Sequence, residues 1–283
     1  MKKWTKGLFT VLGTATLLLA ACGNQASESS ATADDAGGSG LLEDGVLTIG
    51  VTAGPHEEIF ELIKDKAAED GLEIELVVFN DYVKPNTALA EGELDLNSIQ
   101  TGPYLETVIE DTGYDLTRAF ENITIPMGIY SEQYETADEL QKGDTIAIPN
   151  TPSQEGRALL VLERAGVITL PEGLGIDSTV ADIEENPLNL NFITGDPAQF
   201  IAQLPDVAAA GINSNYILDA GLSAEDIAIA MEDPEDTTWV NWVVSRTEDA
   251  EDPVIAQLEE YYKTDEVRSF IEDTFKGAVV ASW

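Results

Sequence analysis

Cysteine, histidine and basic residues are nearly missing from this chain. Among 283 residues there is one cysteine, Cys22, so no intrachain disulfide can form. A chain of this length buries roughly 70–75% of the surface its unfolded form exposes and needs no such staple. The single histidine, His56, has no cysteine or second histidine near it, which argues against a zinc site. It follows Pro55 at a predicted helix start, where a surface or capping role is expected. Lys and Arg number 14 against 53 Asp and Glu, a formal charge of −39. Such a surface repels phosphate polyanions and anionic headgroups, which argues against nucleic acid and against peripheral adsorption to membranes. G-x-G-x-x-G, P-loop, G-x-S-x-G, H-E-x-x-H and C-x-x-C patterns are also absent. The acidic run at 232–236 lacks the spacing and glycine of a calcium loop and reads as a solvated face. No metal, no cofactor and no enzyme activity are expected. With 43% hydrophobic residues the chain is nonetheless an acidic globular protein and not a disordered tail.

Residues 1–22 read MKKWTKGLFTVLGTATLLLAAC. Lys2, Lys3 and Lys6 precede an uncharged, mostly apolar run of about 15 residues, the form of a secretory signal and short of the roughly 20 that a membrane span needs. The run ends in Leu19-Ala20-Ala21-Cys22, which resembles the lipobox of bacterial lipoproteins, where the cysteine is lipid-modified and becomes the mature N-terminus. An ordinary cleavage site beside a cysteine is the plainer alternative. Loss of residues 1–21 leaves 11 basic against 53 acidic residues, a formal charge of −42. An anionic membrane repels that charge, so attachment must come from acyl chains such as palmitate, at ~0.8 kcal/mol per buried CH₂, with two or more chains needed. Nothing after residue 22 approaches 18 consecutive apolar residues. The expectation is a protein tethered on the extracytoplasmic face of the cell membrane. Residues 23–40, rich in Gly, Ser and Ala, read as a flexible spacer. The acidity itself suggests a saline or alkaline habitat, where screening is short.

Strand and helix patterns alternate after that. Residues 46–51, 73–79 and 94–99 read as strands, with helical spacing between them and glycine stops at Gly71, Gly92 and Gly113. The grammar restarts with strands at 144–149, 190–193 and 208–212 and helices at 153–165 and 215–220. This is an α/β protein with mostly parallel sheet. The segment 122–130 and the strand 239–244 would carry the chain between two lobes, with helices over 253–275 closing the first. The expected division is a signal peptide at 1–21, the lipidated cysteine and linker at 22–45, a first lobe at 46–127 plus 240–283, and a second at 128–239. An interlobe cleft is a common place for a small ligand.

Several segments together resemble the methionine-binding lipoprotein (MetQ/NlpA-type) family, the substrate-binding components of amino-acid ABC importers. They are Val78-Phe79-Asn80-Asp81-Tyr82-Val83 with Pro85-Asn86, Asp95 to Leu105, Ile148 to Leu159 with Gly156-Arg157, Glu185 to Leu190, Ala202 to Pro205 with Gly211-Ile212-Asn213-Ser214-Asn215-Tyr216, and Tyr262 to Val267. The likeness runs from about residue 46 to Trp283. It implies a two-lobed, periplasmic-binding-protein-like (type II) fold with two hinge crossings, and a monomer that delivers methionine, a related amino acid or a short peptide to a membrane permease and its ATPase. It also implies a site: Arg157 for the ligand carboxylate, Asn213 and Asn241 for polar groups, Phe79, Tyr82 and Tyr104 as aromatic walls, and Thr101 where the family commonly has a histidine. Gly102 follows Thr101, and Gln154 stands where an asparagine is usual. A different class remains open, a two-lobed extracellular enzyme or adhesion protein that has lost transport.

Overall fold

The computed structural model describes residues 40–42, 45–234 and 236–283. Cys22, the lipobox and residues 23–39 of the spacer lie outside the described residues. The first half comprises β1 (Val46–Thr52), α1 (Pro55–Glu69), β2 (Glu73–Phe79), α2 (Lys84–Ala90), β3 (Leu96–Thr101), α3 (Gly102–Thr112) and β4 (Leu116–Thr124). Next come β5 (Met127–Tyr130), β6 (Thr145–Pro149), α4 (Pro152–Arg164), β7 (Asn191–Gly195), α5 (Phe200–Gln203), β8 (Ala209–Asn213), α6 (Ser214–Asp219), α7 (Ala224–Ile227) and β9 (Ala228–Met231). The chain ends with β10 (Val240–Arg246), α8 (Pro253–Tyr262), α9 (Asp265–Phe275) and β11 (Val280–Ala281).

The strands form two sheets, ordered β11-β4-β10-β3-β1-β2 and β7-β6-β8-β5-β9. Each has a parallel half, β2-β1-β3 or β7-β6-β8. The remaining pairs are antiparallel, so both sheets are mixed where mostly parallel sheet was expected. Connectivity is the reason. β5 arrives from the first sheet and β10 returns from the second, so each pairs antiparallel with the strand it joins, β8 and β3 respectively.

Period-two burial accounts for the layers. Leu47, Ile49 and Val51 share one face of β1 and pack on Ile59, Phe60 and Ile63 of α1 and on Leu258 and Tyr262 of α8. Leu89, Leu94, Leu105 and Val244 form a second cluster of the same lobe. In the other lobe Ile146 and Ile148 join a cluster with Leu159 and Leu162 of α4, whereas Ala147 between them joins one with Phe200, Ile212 and Ile217. Both sheets are thus covered on both faces.

The segment 122–130, read as one long strand, is broken at Ile125-Pro126, and its halves belong to different sheets. Proline has no N–H for a ladder, which suits it to the crossing. Met127, on the first-lobe side of the expected boundary, is the first residue of the second sheet and pairs with Asn213. The return crossing lies between β9 and β10. At the mouth of the cleft, Gly54 has φ 85 and ψ −135. A Cβ there would lie 3.2 Å from the Asn215 carbonyl oxygen on the opposite lobe, so the conformation calls for glycine and the space beside it is tight.

Candidate functional site

Strand ends and the helix starts that follow them face the switch point of an α/β sheet. Thr101 closes β3, and its hydroxyl accepts from the Tyr104 N–H at 3.4 Å as the cap of α3. Asn213 closes β8 and precedes α6. His56 sits in the first turn of α1, and Arg157 follows one turn into α4. With Tyr82, Tyr104, Asn215 and Asn241 these residues close around a small cavity of about 20 Å³ between the lobes. Of the seven residues expected at a ligand site, six line it.

Phe79 is the exception. It ends β2, the edge strand of its sheet, and packs with Leu89 and Leu94. Its ring lies 3.2 Å from where a Gly50 Cβ would stand, which places it over β1 and away from the cavity. An edge strand two positions from β3 does not bring its last side chain to the pocket that Thr101 borders.

Arg157 is only 1% exposed. Its Nε donates to Glu232 Oε1 at 2.7 Å and its Nη2 to Glu232 Oε2 at 2.6 Å and to the Ile125 carbonyl at 3.0 Å. The guanidinium also lies 4.5 Å over the Trp239 ring. A buried guanidinium needs such a partner, because desolvating it costs several kcal/mol unless an opposite charge and hydrogen bonds compensate. Among the described residues no hydrogen bond runs from Nη1, and Arg157 lines the cavity. Glu232, read from sequence as part of a solvated acidic face, is instead 4% exposed, and its Oε2 also accepts from the Met127 N–H at 2.7 Å. Ile125, Met127, Glu232 and Trp239 all lie in or against the two crossings. The arginine therefore ties α4 to both.

The asparagines supply complementary groups. Asn213 donates through Nδ2 to Gln154 Oε1 at 2.9 Å, and the Tyr82 hydroxyl donates to Asn215 Oδ1 at 2.6 Å. Their other ends, Asn213 Oδ1 and Asn215 Nδ2, are buried without a hydrogen-bond partner among the described residues. Leaving such a group unpaired costs about 1–3 kcal/mol, so the cavity wall is arranged for a polar occupant. Asn241 donates to the Trp239 carbonyl at 3.3 Å, which turns its Oδ1 away from that bond. The Tyr82–Asn215 bond runs from the first lobe to the second.

Below the cavity, three amides hold one another. Asn86 and Gln100 exchange bonds at 2.8 and 2.7 Å, Gln100 also donates to Asn97 at 2.9 Å, and Asn97 donates to Asn86 at 2.9 Å. Gln100 reaches the cavity from this cluster. A Cβ at Gly102 would meet only the tip of the flexible, half-exposed Arg118 side chain, which can move aside.

His56 corrects the expectation of a surface or capping role. It is 2% exposed, lines the cavity and has Nδ1 3.4 Å from Ser98 Oγ. Burial pushes its pKa down to about 3, so the imidazole is neutral. Burial likewise raises the phenols, Tyr104 to about 12 and Tyr82 further. The polar residues in and behind the site that sequence reasoning did not assign to it are therefore His56, Gln100, Gln154, Asn215 and Glu232. Asn215 carried a signal, a polar amide two residues past an apolar strand. Glu232 carried almost none among 53 acids. No group of His, Cys, Asp or Glu among the described residues could hold a metal ion, and no described helix is long and apolar enough to cross a membrane.

A family model described as NlpA lipoprotein matches residues 47–283. The D-methionine-binding lipoprotein MetQ of Escherichia coli K12 is 36% identical over 241 residues, covering 84% of this chain and 88% of that protein. Outer membrane lipoprotein 2 of Mannheimia haemolytica is 36% identical over 279 residues, 98% of this chain and 99% of the other. A nutrient-binding protein from Burkholderia cenocepacia, solved bound to methionine, superposes with a TM-score of 0.81 at 40% identity, over 84% of this chain and all of that one.

Proposed function

Because the chain belongs to the NlpA lipoprotein family, we propose that it captures methionine or a closely similar amino acid outside the cytoplasm and presents it to an ABC permease and its ATPase. The observation that carries this is Arg157, buried in an interlobe cavity with Nη1 left over from its protein bonds, beside two unpaired amide ends. Nη1 and Asn215 Nδ2 receive the ligand carboxylate. Asn213 Oδ1 and Asn241 Oδ1 accept from its ammonium. Tyr82, Tyr104 and the neutral His56 bound the side chain. No bond of the ligand is made or broken.

Binding works by closure. Arg157, Asn213 and Asn215 belong to the second lobe, and Thr101, Tyr104 and Tyr82 to the first, so an occupant that touches both sets favours the closed state by its greater affinity for it. The Tyr82–Asn215 bond forms in that state and adds to it. Acyl chains on Cys22 would hold this monomer at the membrane, the spacer giving it reach. Isothermal calorimetry tests the reading. Wild type is expected to bind L-methionine, and Arg157→Ala to lose at least 10–100-fold in affinity, since a charge-assisted bond contributes about 1.5–3 kcal/mol. Equal affinity of the two proteins would refute this site.

A further inference from the structure

The charge balance of the cavity leads past the identity of its occupant, though it rests on the amino-acid reading above. Glu232 does not line the cavity. It stands behind Arg157, taking Nε and Nη2 with both side chains almost fully buried, at 1% and 2% exposure. Two consequences follow from that position. The planar guanidinium is held by a fork-to-fork contact on one edge, so its rotation is fixed and Nη1 faces the ligand. The positive charge is also matched by one negative charge before any ligand arrives. Every other cavity-lining side chain is uncharged: His56, the two tyrosines, Gln100, Gln154, Thr101, the isoleucines and the asparagines.

We propose that Glu232 is a positioning and specificity-determining residue that makes the site neutral, so that it accepts net-neutral zwitterions and discriminates against net anions. A zwitterion brings a carboxylate to Nη1 and an ammonium to the asparagine oxygens, and the closed cavity stays neutral. A ligand with the carboxylate alone leaves one uncompensated negative charge in the closed cavity, with Glu232 on the far side of the same guanidinium. In low dielectric that repulsion is poorly screened. Removing the Glu232 charge shifts the preference toward the lone carboxylate, because Arg157 is then an unmatched cation that it neutralises.

The probes are L-methionine and 4-(methylthio)butanoate, which is methionine without its ammonium group and no larger. Calorimetry is run on wild type, Glu232→Gln and Glu232→Asp. Glutamine keeps an acceptor for the Met127 N–H, and aspartate keeps the charge. The affinity ratio of methionine to the carboxylate is expected to fall at least tenfold in Glu232→Gln and to stay near the wild-type value in Glu232→Asp. Loss of both affinities in parallel would mean a structural brace only and overturn the assignment. So would a wild type that binds the lone carboxylate as tightly as methionine, a result that needs no variant to fold. A wild type that binds no neutral amino acid would overturn the amino-acid reading itself and this assignment with it, whereas binding with an unchanged ratio overturns the assignment alone.

Discussion

His56 shows what burial does to a single side chain. An unfolded chain would hold this histidine near a pKa of about 6.5, whereas the folded protein holds it at about 3 because the charged form would be desolvated. The sign follows from proton uptake. Between these values the unfolded state binds a proton that the folded state refuses, so the stabilising contribution is complete above pH 6.5 and is lost as pH falls toward 3. The slope is at most about 1.4 kcal/mol per pH unit. Denaturant unfolding of wild type and His56→Gln between pH 7 and 5 should show wild type losing stability more steeply by an amount approaching that slope. Parallel curves would mean that the imidazole titrates normally in the fold. The same residue marks a limit of sequence reading. Pro55-His56 at a helix start looks exposed, and only the position of that helix end over the cleft buries it. Asn213 and Asn241 came from the family resemblance, and an amide at or within an apolar strand must in any case find a partner. Phe79 was misplaced, since an aromatic at a strand end serves core and pocket equally well in one dimension.

Gly54 governs an element boundary. Its backbone conformation, near φ 85 and ψ −135, is almost confined to glycine and costs about 1–3 kcal/mol for other residues. Pro55 follows in the first turn of α1, and the Asn215 carbonyl and Asp219 of α6 stand against the glycine from the other lobe. Gly54→Ala should therefore lower the unfolding free energy by about 1–3 kcal/mol in a urea titration. It should weaken ligand affinity as well, since the crowding arises only when the lobes meet. Unchanged affinity at lowered stability would place the whole cost in the local turn. At this scale most of the fold was readable. β2 was placed at its observed limits, and the glycines at 71, 92 and 113 marked helix ends well. β9 was missed because its Ala-Ile-Ala-Met sequence has little strand propensity, and the first half of β4 because Arg118 and Glu121 break up its apolar pattern. Strand direction was misjudged for a different reason: alternation of elements says nothing about a strand that enters a sheet from the other lobe.

Across the whole molecule the dominant quantity is charge. Fifty-three acids against 14 bases leave a formal −39, and the nine ion pairs among the described residues include one that is fully buried. Exposed pairs contribute little, so long-range repulsion among carboxylates is the electrostatic effect with the most reach. Raising NaCl from 0.1 to 1 M shortens the screening length from ~10 to ~3 Å. The melting temperature should rise over that interval, and a fall would show that attraction between the sparse cations and their partners outweighs repulsion. The two-lobed plan was legible from the restart of the strand–helix pattern near residue 144. What joins the lobes was not, because Arg157, Ile125 and Glu232 are far apart in sequence and meet only when both crossings are in place.

The ring of Asn86, Asn97 and Gln100 has an evolutionary consequence. Each amide bonds to both of the others, so replacing any one removes hydrogen bonds from the remaining two in the protein interior. Retuning such a receptor toward new nutrients is thereby steered to its other surfaces, and position 101, whose hydroxyl merely caps a helix, is the place with freedom to drift.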